Sequence, residues 1–152
     1  NEWYKAAYYN AAGTNYFLYP TASSTAPTAV ASGTNAGTAV YDSAATNPAI
    51  VDIVGGLSPY GTMGQGGNVF EWNESAFDGS NSSSAEGRAI RGGGWSDAEG
   101  ELRSSARNFG VPSSESFNVG FRVASVPEPS TYVLVLMGAG ALYLWKRRKS
   151  SL

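Results

Sequence analysis

The chain has 152 residues, a formal net charge of −2, and neither cysteine nor histidine. This length allows one domain of ordinary size, and the missing residue types exclude disulfides, thiol chemistry and imidazole groups acting as bases or metal ligands. Four of the ten basic residues lie at 146–149, which leaves an acidic body over residues 1–130 and argues against nucleic-acid binding, since phosphate contacts need clustered Lys and Arg.

The first sixty residues predict a short helix followed by ordered loops. Residues 1–10 place Trp3, Ala6 and Ala7 at helical spacing, and we interpret their apolar side chains as core. Residues 11–60 are poor in charge and rich in Thr, Ser, Ala, Gly and Pro. Short extended pieces are predicted at Asn15–Tyr19 and Ala49–Val54. The aromatic and β-branched residues of this stretch favour ordered loops over a disordered linker, because they carry much apolar surface to bury.

Two glycine-dense stretches follow, and each delivers a large aromatic side chain. Residues 64–72 read GQGGNVFEW, and residues 91–95 read RGGGW. Glycine suits backbone that takes a positive φ or approaches another group closely, and tryptophan is a large apolar anchor. The repetition predicts a compact, loop-rich core around these two turns rather than a helical bundle.

The rest of the body predicts an exposed loop at Ala76–Gly87 and three short strands. The strands, in chain order, are Ala89–Trp95 with a glycine kink, Glu101–Asn108 and Phe117–Val123. In the third strand Val119, Phe121 and Val123 alternate with polar residues and are predicted to point inward.

These motifs in this order resemble a known family. GNVFEW, RGGGW, RSSARNFG and NVGFRVAS are similar to the closing half of the formylglycine-generating enzyme family, the sulfatase-modifying factor domain. The resemblance covers about residues 1–125 and begins with NEWYKAAYY. It implies an α+β, C-type-lectin-like fold, loop-rich with short strands. It also implies that residue 1 lies mid-domain, so we expect the chain to be the C-terminal part of a longer protein.

The resemblance bears on catalysis through two cysteines. The resembled enzymes oxidise a cysteine of a sulfatase to formylglycine, with a pair of cysteines as copper ligands just after the turn that here is Arg91–Trp95. The segment that follows here, Ser96–Leu102, holds no thiol, and the thiolate is what binds this soft metal, so copper is not expected. Related iron-dependent sulfoxide synthases use histidines from a separate domain. We therefore expect a non-catalytic member; the alternative is a formylglycine-generating or iron-dependent oxidase whose ligands lie upstream of residue 1.

Three acids stand where the thiols are expected, namely Asp97, Glu99 and Glu101. Carboxylates suit hard cations, so one interpretation is a metal site. The other interpretation is a solvated loop face, which is the more frequent meaning of alternating acids.

The resembled family carries a structural calcium site on the glycine loop. By position, the backbone carbonyls of Gly67 and Val69 and the carboxylate of Glu71 match its ligands, while Gly64 takes the place of an asparagine ligand. Calcium binds six to eight oxygens, so water or another residue must complete the site. The alternative is an ion pair between Glu71 and an arginine of the core, such as Arg91 or Arg122.

Three arginines adjoin the motifs, at positions 91, 107 and 122. We expect them to tie loop carbonyls and carboxylates together through their guanidinium groups. Arg107 and Asn108 also resemble the edge of the family's substrate groove, and the resemblance implies a ligand contact there.

Residues 126–152 form a separate segment with three parts. Pro127, Glu128 and Pro129 begin it, an uncharged apolar run at 132–145 follows, and Lys146, Arg147, Arg148 and Lys149 end it. As a helix, the apolar run at 132–145 spans roughly 21 Å, short of the ~30 Å hydrocarbon core, and the helix is predicted over about 131–145. The basic cluster places the body outside and the tail inside the cell.

This combination resembles a PEP-CTERM sorting signal, which an exosortase recognises during export in Gram-negative bacteria that make exopolysaccharide. The alternative is an ordinary single-pass anchor. The chain is thus predicted to be exported, anchored in the membrane at least transiently, and then exposed at the surface or released. We expect a surface or extracellular-matrix binding module for polysaccharide or a surface protein, with a purely structural surface protein as a further possibility.

Overall fold

The structure is a computed structural model, and it describes residues 2–123 and residue 146. The chain divides into two units, residues 1–122 and 123–152, and the fold below is that of the first. The predicted tail helix and the Pro-Glu-Pro residues lie outside the described residues. Among the described residues, no helix combines the length and the apolar character needed to cross a membrane.

The body between residues 2 and 123 has little helix and many short strands. Its α-helix is α1 (Glu2–Tyr8), and two 3-10 helices cover Val51–Ile53 and Glu99–Leu102. The strands are β1 (Tyr9–Asn10), β2 (Asn15–Tyr16), β3 (Thr28–Ala29), β4 (Thr38–Ala39), β5 (Phe70–Ala76), β6 (Arg88–Arg91), β7 (Asn108–Gly110) and β8 (Val119–Gly120). This content agrees with the predicted α+β class with short strands. Residues 77–85 are exposed, as the predicted loop requires.

A four-stranded sheet in the order β7-β6-β5-β8 carries the glycine motifs. Strands β5 and β6 are antiparallel and place Glu71 opposite Arg91, with a register shift between Trp72 and Ala76. Strand β8 runs parallel to β5. The remaining strands form two separate pairs, β1 with β2 and β3 with β4. The sheet therefore sets the two motifs side by side.

The buried apolar side chains of the described residues include two small clusters. Helix α1 contributes Trp3, Ala7 and Tyr8, which confirms the predicted core role of its apolar face. The other cluster joins Tyr19, Ala39, Tyr41 and Leu102. The Tyr8 hydroxyl donates to the Leu102 carbonyl at 3.0 Å and links the clusters, and burial raises the pKa of Tyr8.

Two predicted extended pieces are wrong because local turns form there instead. Within Ala49–Val54, residues Val51–Ile53 make a 3-10 helix, and the Ile53 N–H donates to the Ile50 carbonyl at 3.0 Å. Glu101–Asn108 begins inside the second 3-10 helix and joins the sheet only at Asn108. In both pieces, near neighbours in sequence satisfy some of the backbone groups that a strand would pair across a sheet, and single long-range bonds such as Ser104 N–H to the Leu18 carbonyl satisfy others.

The predicted inward alternation at Phe117–Val123 is also wrong. Strand β8 is limited to two residues, and the side chains of Phe121 and Val123 are 77% and 87% exposed. Of the three residues predicted to point inward, Val119, which pairs with Phe70, is half-buried and the other two are exposed. An alternating pattern fixes which residues share a face, but a partner must cover that face before they are buried.

The exposed carboxylate of Glu99 gives a prediction about acid stability. It accepts hydrogen bonds from Arg103 Nη2 at 2.8 Å and from the Tyr19 hydroxyl at 3.0 Å. Both bonds lower the pKa of Glu99, and the bond from Arg103 has the larger effect. A pKa that is lower in the folded chain adds stability above the unfolded-state pKa, and this stability is lost as the pH falls through the folded-state value. Glu99→Gln should therefore lose less stability than the wild type between about pH 5 and pH 3. Urea unfolding at both pH values measures this, and equal losses in the two proteins would refute it.

Candidate functional site

The two glycine-dense stretches meet in the structure, as the sequence predicts. The Gly67 N–H donates to the Gly92 carbonyl at 2.8 Å, and the Trp95 N–H donates to the Asn68 carbonyl at 2.8 Å. Gly67 has a φ of 74°, and a Cβ atom on it would lie 2.1 Å from the Val40 carbonyl oxygen. The turn thus needs glycine for its conformation and for the close approach of a neighbouring backbone.

Glu71 is buried and holds an ion pair at the centre of this region. Arg122 donates from Nε to Oε2 at 2.6 Å and from Nη2 to Oε1, and the Trp3 indole N–H also donates to Oε2. Arg122 Nη2 further donates to the Met63 carbonyl at 3.0 Å. The predicted pairing of Glu71 with a core arginine is confirmed, and the partner is Arg122.

These contacts do not fit a calcium ion at Gly67, Val69 and Glu71. Both Glu71 oxygens already accept N–H donors, and the guanidinium charge beside them repels a divalent cation. Gly64 takes the place of the family's asparagine ligand, and a Cβ atom on it would lie 3.8 Å from Arg122 Nη2. The positive guanidinium group therefore lies close to where that ligand's side chain would begin. The calcium site stays a prediction, and the donor set argues against it.

Calcium dependence is directly measurable. We expect the melting temperature of the full chain to be the same in millimolar calcium and in chelator. A structural ion at one hundred times its Kd would add about 2.7 kcal/mol of stability, which a melting curve resolves easily. Magnesium at the same ionic strength is the control. A rise in melting temperature specific to calcium would contradict this expectation and show that the folded chain binds the ion.

The three acids expected at the place of the thiols are engaged separately. Asp97 Oδ2 accepts the Gly94 N–H at 2.8 Å, Glu99 pairs with Arg103, and Glu101 Oε2 accepts the Asn108 side-chain amide at 3.0 Å. Among the described residues, no group of three acids is arranged to hold a metal ion. The structure therefore does not support a metal site at these acids.

An open cleft of about 310 Å³ lies where residues of α1, β5 and β6 meet. Its lining includes Tyr4, Asn73, Ser75, Ala89, Arg91 and Arg107. The side chains combine an aromatic ring, small polar groups and two cations, a lining suited to a polar ligand.

The two arginines of the cleft are held in different ways. Arg91 is half-buried, and its Nη1 donates to the carbonyls of Ser104 at 3.1 Å and Ala106 at 2.6 Å. Its guanidinium lies 5.0 Å from the centre of the Tyr4 ring. Burial lowers the pKa of Arg91, and the nearby charge of Arg107 acts in the same direction. Arg107 is exposed, with its guanidinium 5.0 Å from the centre of the Phe77 ring. Arg91 thus ties loop carbonyls as predicted, while Arg107 faces the solvent.

Only one of the two predicted groove residues lines the cleft. Arg107 does, whereas the Asn108 side chain donates to Glu101. A ligand contact at these residues stays a prediction. Asn73 and Ser75 of β5 also line the cleft and were not predicted from the sequence. The register shift between Trp72 and Ala76 interrupts the regular alternation of this strand, so their side of the sheet could not be inferred from spacing alone.

Comparisons with known proteins agree with these motifs. Residues 1–126 match the family model of the sulfatase-modifying factor enzyme 1-like domain, and residues 125–149 match the PEP-CTERM protein-sorting motif. Both resemblances drawn from the sequence are thereby confirmed. The comparison with curated proteins finds no match.

Proposed function

Because the chain belongs to the family of sulfatase-modifying factor enzyme 1-like domains and carries a PEP-CTERM motif, we propose that it is an exported, non-catalytic binding module. The sorting motif indicates export in a Gram-negative bacterium and implies processing by an exosortase-type system. The proposal adds a C-type-lectin-like scaffold, membrane attachment through the apolar run until the tail is processed, and action at the cell surface or in the extracellular matrix.

The non-catalytic role is supported by the lack of the cysteine residues that the family's chemistry needs. Copper chemistry of this kind requires thiolate ligands, and the chain has no cysteine. At the corresponding turn, Asp97 accepts the Gly94 N–H and stabilises the backbone. This side chain has a structural task where the enzymes have a metal ligand.

The observation that carries the binding role is the cleft beside β5 and β6. It is open, and a ring from α1 adjoins small polar side chains and two guanidinium groups. Polysaccharides offer hydroxyl groups to such polar side chains and apolar ring faces to aromatic ones. The setting of the sorting motif, in bacteria that make exopolysaccharide, supports polysaccharide as the ligand, and a surface protein is the other candidate.

The test is retention of the full chain on polysaccharide from the producing bacterium. The chain is purified in mild detergent, because residues 132–145 are apolar and uncharged, and it is passed over immobilised polysaccharide in calcium and in chelator. The same preparation is incubated with a cysteine-containing sulfatase peptide, with copper and with iron.

The proposal expects retention in both buffers and no oxidation of the peptide. Failure to bind would exclude polysaccharide as the ligand and direct the search to surface proteins. Turnover of the peptide with either metal would contradict the non-catalytic assignment and indicate a metal centre that includes ligands beyond these residues.

A further inference from the structure

The cleft brings together two guanidinium groups that have no carboxylate partner within the part of the chain that the structure describes. Ion pairs in residues 2–123 join Arg88 to Glu86, Arg103 to Glu99 and Arg122 to Glu71. Arg91 and Arg107 are in none of them, and the cleft lining contains no acid. The two cations therefore line one cleft outside these ion pairs. Asp78 is the acid whose charge interacts with Arg107: hydrogen bonds from Ser80 lower the pKa of Asp78, and the charge of Arg107 contributes to this shift from outside the cleft lining.

This arrangement is unusual in an acidic body. Residues 1–130 carry six basic residues against twelve acids, so a basic side chain there has acids available to pair with. Two guanidinium groups that line one cleft repel each other, and burial adds a desolvation cost at Arg91. Burial first, and the charge of Arg107 in addition, lower the pKa of Arg91. A bound anion would relieve both costs.

The donors of these arginines suit a carboxylate. Arg91 donates from Nη1 to the carbonyls of Ser104 and Ala106. Its Nη2 and Nε groups take no part in these two bonds. Arg107 is exposed, and its guanidinium lies 5.0 Å from the centre of the Phe77 ring, a contact that does not itself use an N–H donor. Planar guanidinium groups recognise a carboxylate through paired, charge-assisted hydrogen bonds.

We infer that the cleft binds the carboxylate group of an acidic sugar in an extracellular polysaccharide, held between Arg91 and Arg107. The inference rests on the proposed function and names its ligand class. The sugar is favoured over an acidic peptide because the Tyr4 ring lines the same cleft beside Arg91, and a pyranose packs against an aromatic ring.

The experiment measures binding of the full chain to two oligosaccharides by titration calorimetry. One probe is oligogalacturonate, and the other is the same oligosaccharide with its carboxyl groups reduced to alcohols. A polyglutamate peptide of similar charge is the third probe. The variants are Arg107→Gln, which removes the exposed guanidinium, and Arg103→Gln, which removes the same charge from an arginine paired with Glu99 away from the cleft.

We expect oligogalacturonate to bind about tenfold more tightly than its reduced form, with a preference that weakens as salt is added. Arg107→Gln should remove this preference, and Arg103→Gln should keep it. Arg107→Lys keeps the charge without the fork and should retain only part of the preference. Because the comparison of probes uses the wild type, it decides the matter even where a variant fails to fold.

Different failures have different meanings. Equal binding of the two oligosaccharides, or equal losses in Arg107→Gln and Arg103→Gln, would overturn the carboxylate site and leave polysaccharide binding in place. Tighter binding of polyglutamate would overturn the choice of sugar. No binding of either oligosaccharide would overturn the inference, and retention on the producing cell's polysaccharide would then show whether the proposed function survives.

Discussion

Replacing Gly67 with alanine is expected to destabilise the body by about 2–5 kcal/mol. The left-handed backbone at this position costs an L-residue about 1–2 kcal/mol, and overpacking adds about 1–3 kcal/mol. The clash is severe because the new Cβ atom would lie 2.1 Å from the Val40 carbonyl oxygen, which is backbone and cannot rotate away. Urea unfolding of the full chain, followed by tryptophan fluorescence, measures the loss.

Gly37 supplies the matched control for this prediction. It has a φ of 71°, close to that of Gly67, but a Cβ atom there would meet no atom within 4 Å. Gly37→Ala therefore reports the conformational cost alone, about 1–2 kcal/mol. Equal losses in the two variants would show that the close approach of Gly67 to Val40 does not constrain the turn.

Arg122→Gln should also be strongly destabilising, by about 3 kcal/mol, because it leaves the Glu71 carboxylate buried without its cation. Glu71 is 6% exposed, and Arg122 bonds both of its oxygens and the Met63 carbonyl. Loss of this side chain therefore removes a link between β5, the glycine loop and the residues after β8. Thermal and urea unfolding of the full chain measure the change.

Two further variants separate the ion pair from general charge effects. Arg103→Gln removes the same charge from an exposed pair and should cost much less, since solvent already screens that pair. The double variant Glu71→Gln with Arg122→Gln should lose less than the sum of the single losses, because it leaves no buried charge unpaired. Additive losses would mean that the two side chains do not act as a pair.

Much of the body's organisation was predictable because it follows from residue types with few alternatives. The glycines of the two turns require particular backbone conformations, and Trp3 and Ala7 repeat with the helical period, so the turns and α1 agree with prediction. The pairing of Glu71 with an arginine was foreseen as one alternative. That the partner is Arg122 and not Arg91 was not foreseen, because the partner depends on which strand end lies beside the glycine loop at residues 64–72. Arg91 is directly opposite Glu71 in the sheet and still bonds loop carbonyls instead.

The failed strand predictions and the cleft share one physical cause. Alternation assigns residues to faces, while burial depends on a partner from a distant part of the chain, as the exposed Phe121 illustrates. Tyr4 of α1 lines the cleft together with Arg91 and Arg107, although a long stretch of sequence separates Tyr4 from the two arginines. Periodicity within one element therefore does not show which residues of other elements lie beside it.

The most direct test of the binding role is the distribution of the exported chain in its own bacterium. The amounts in the cell, polysaccharide and medium fractions are measured by immunoblot in the wild-type strain and in a strain that makes no extracellular polysaccharide. The account predicts that the chain accompanies the polysaccharide in the first strain and passes into the medium or stays on the cell in the second. The same distribution in both strains would contradict it.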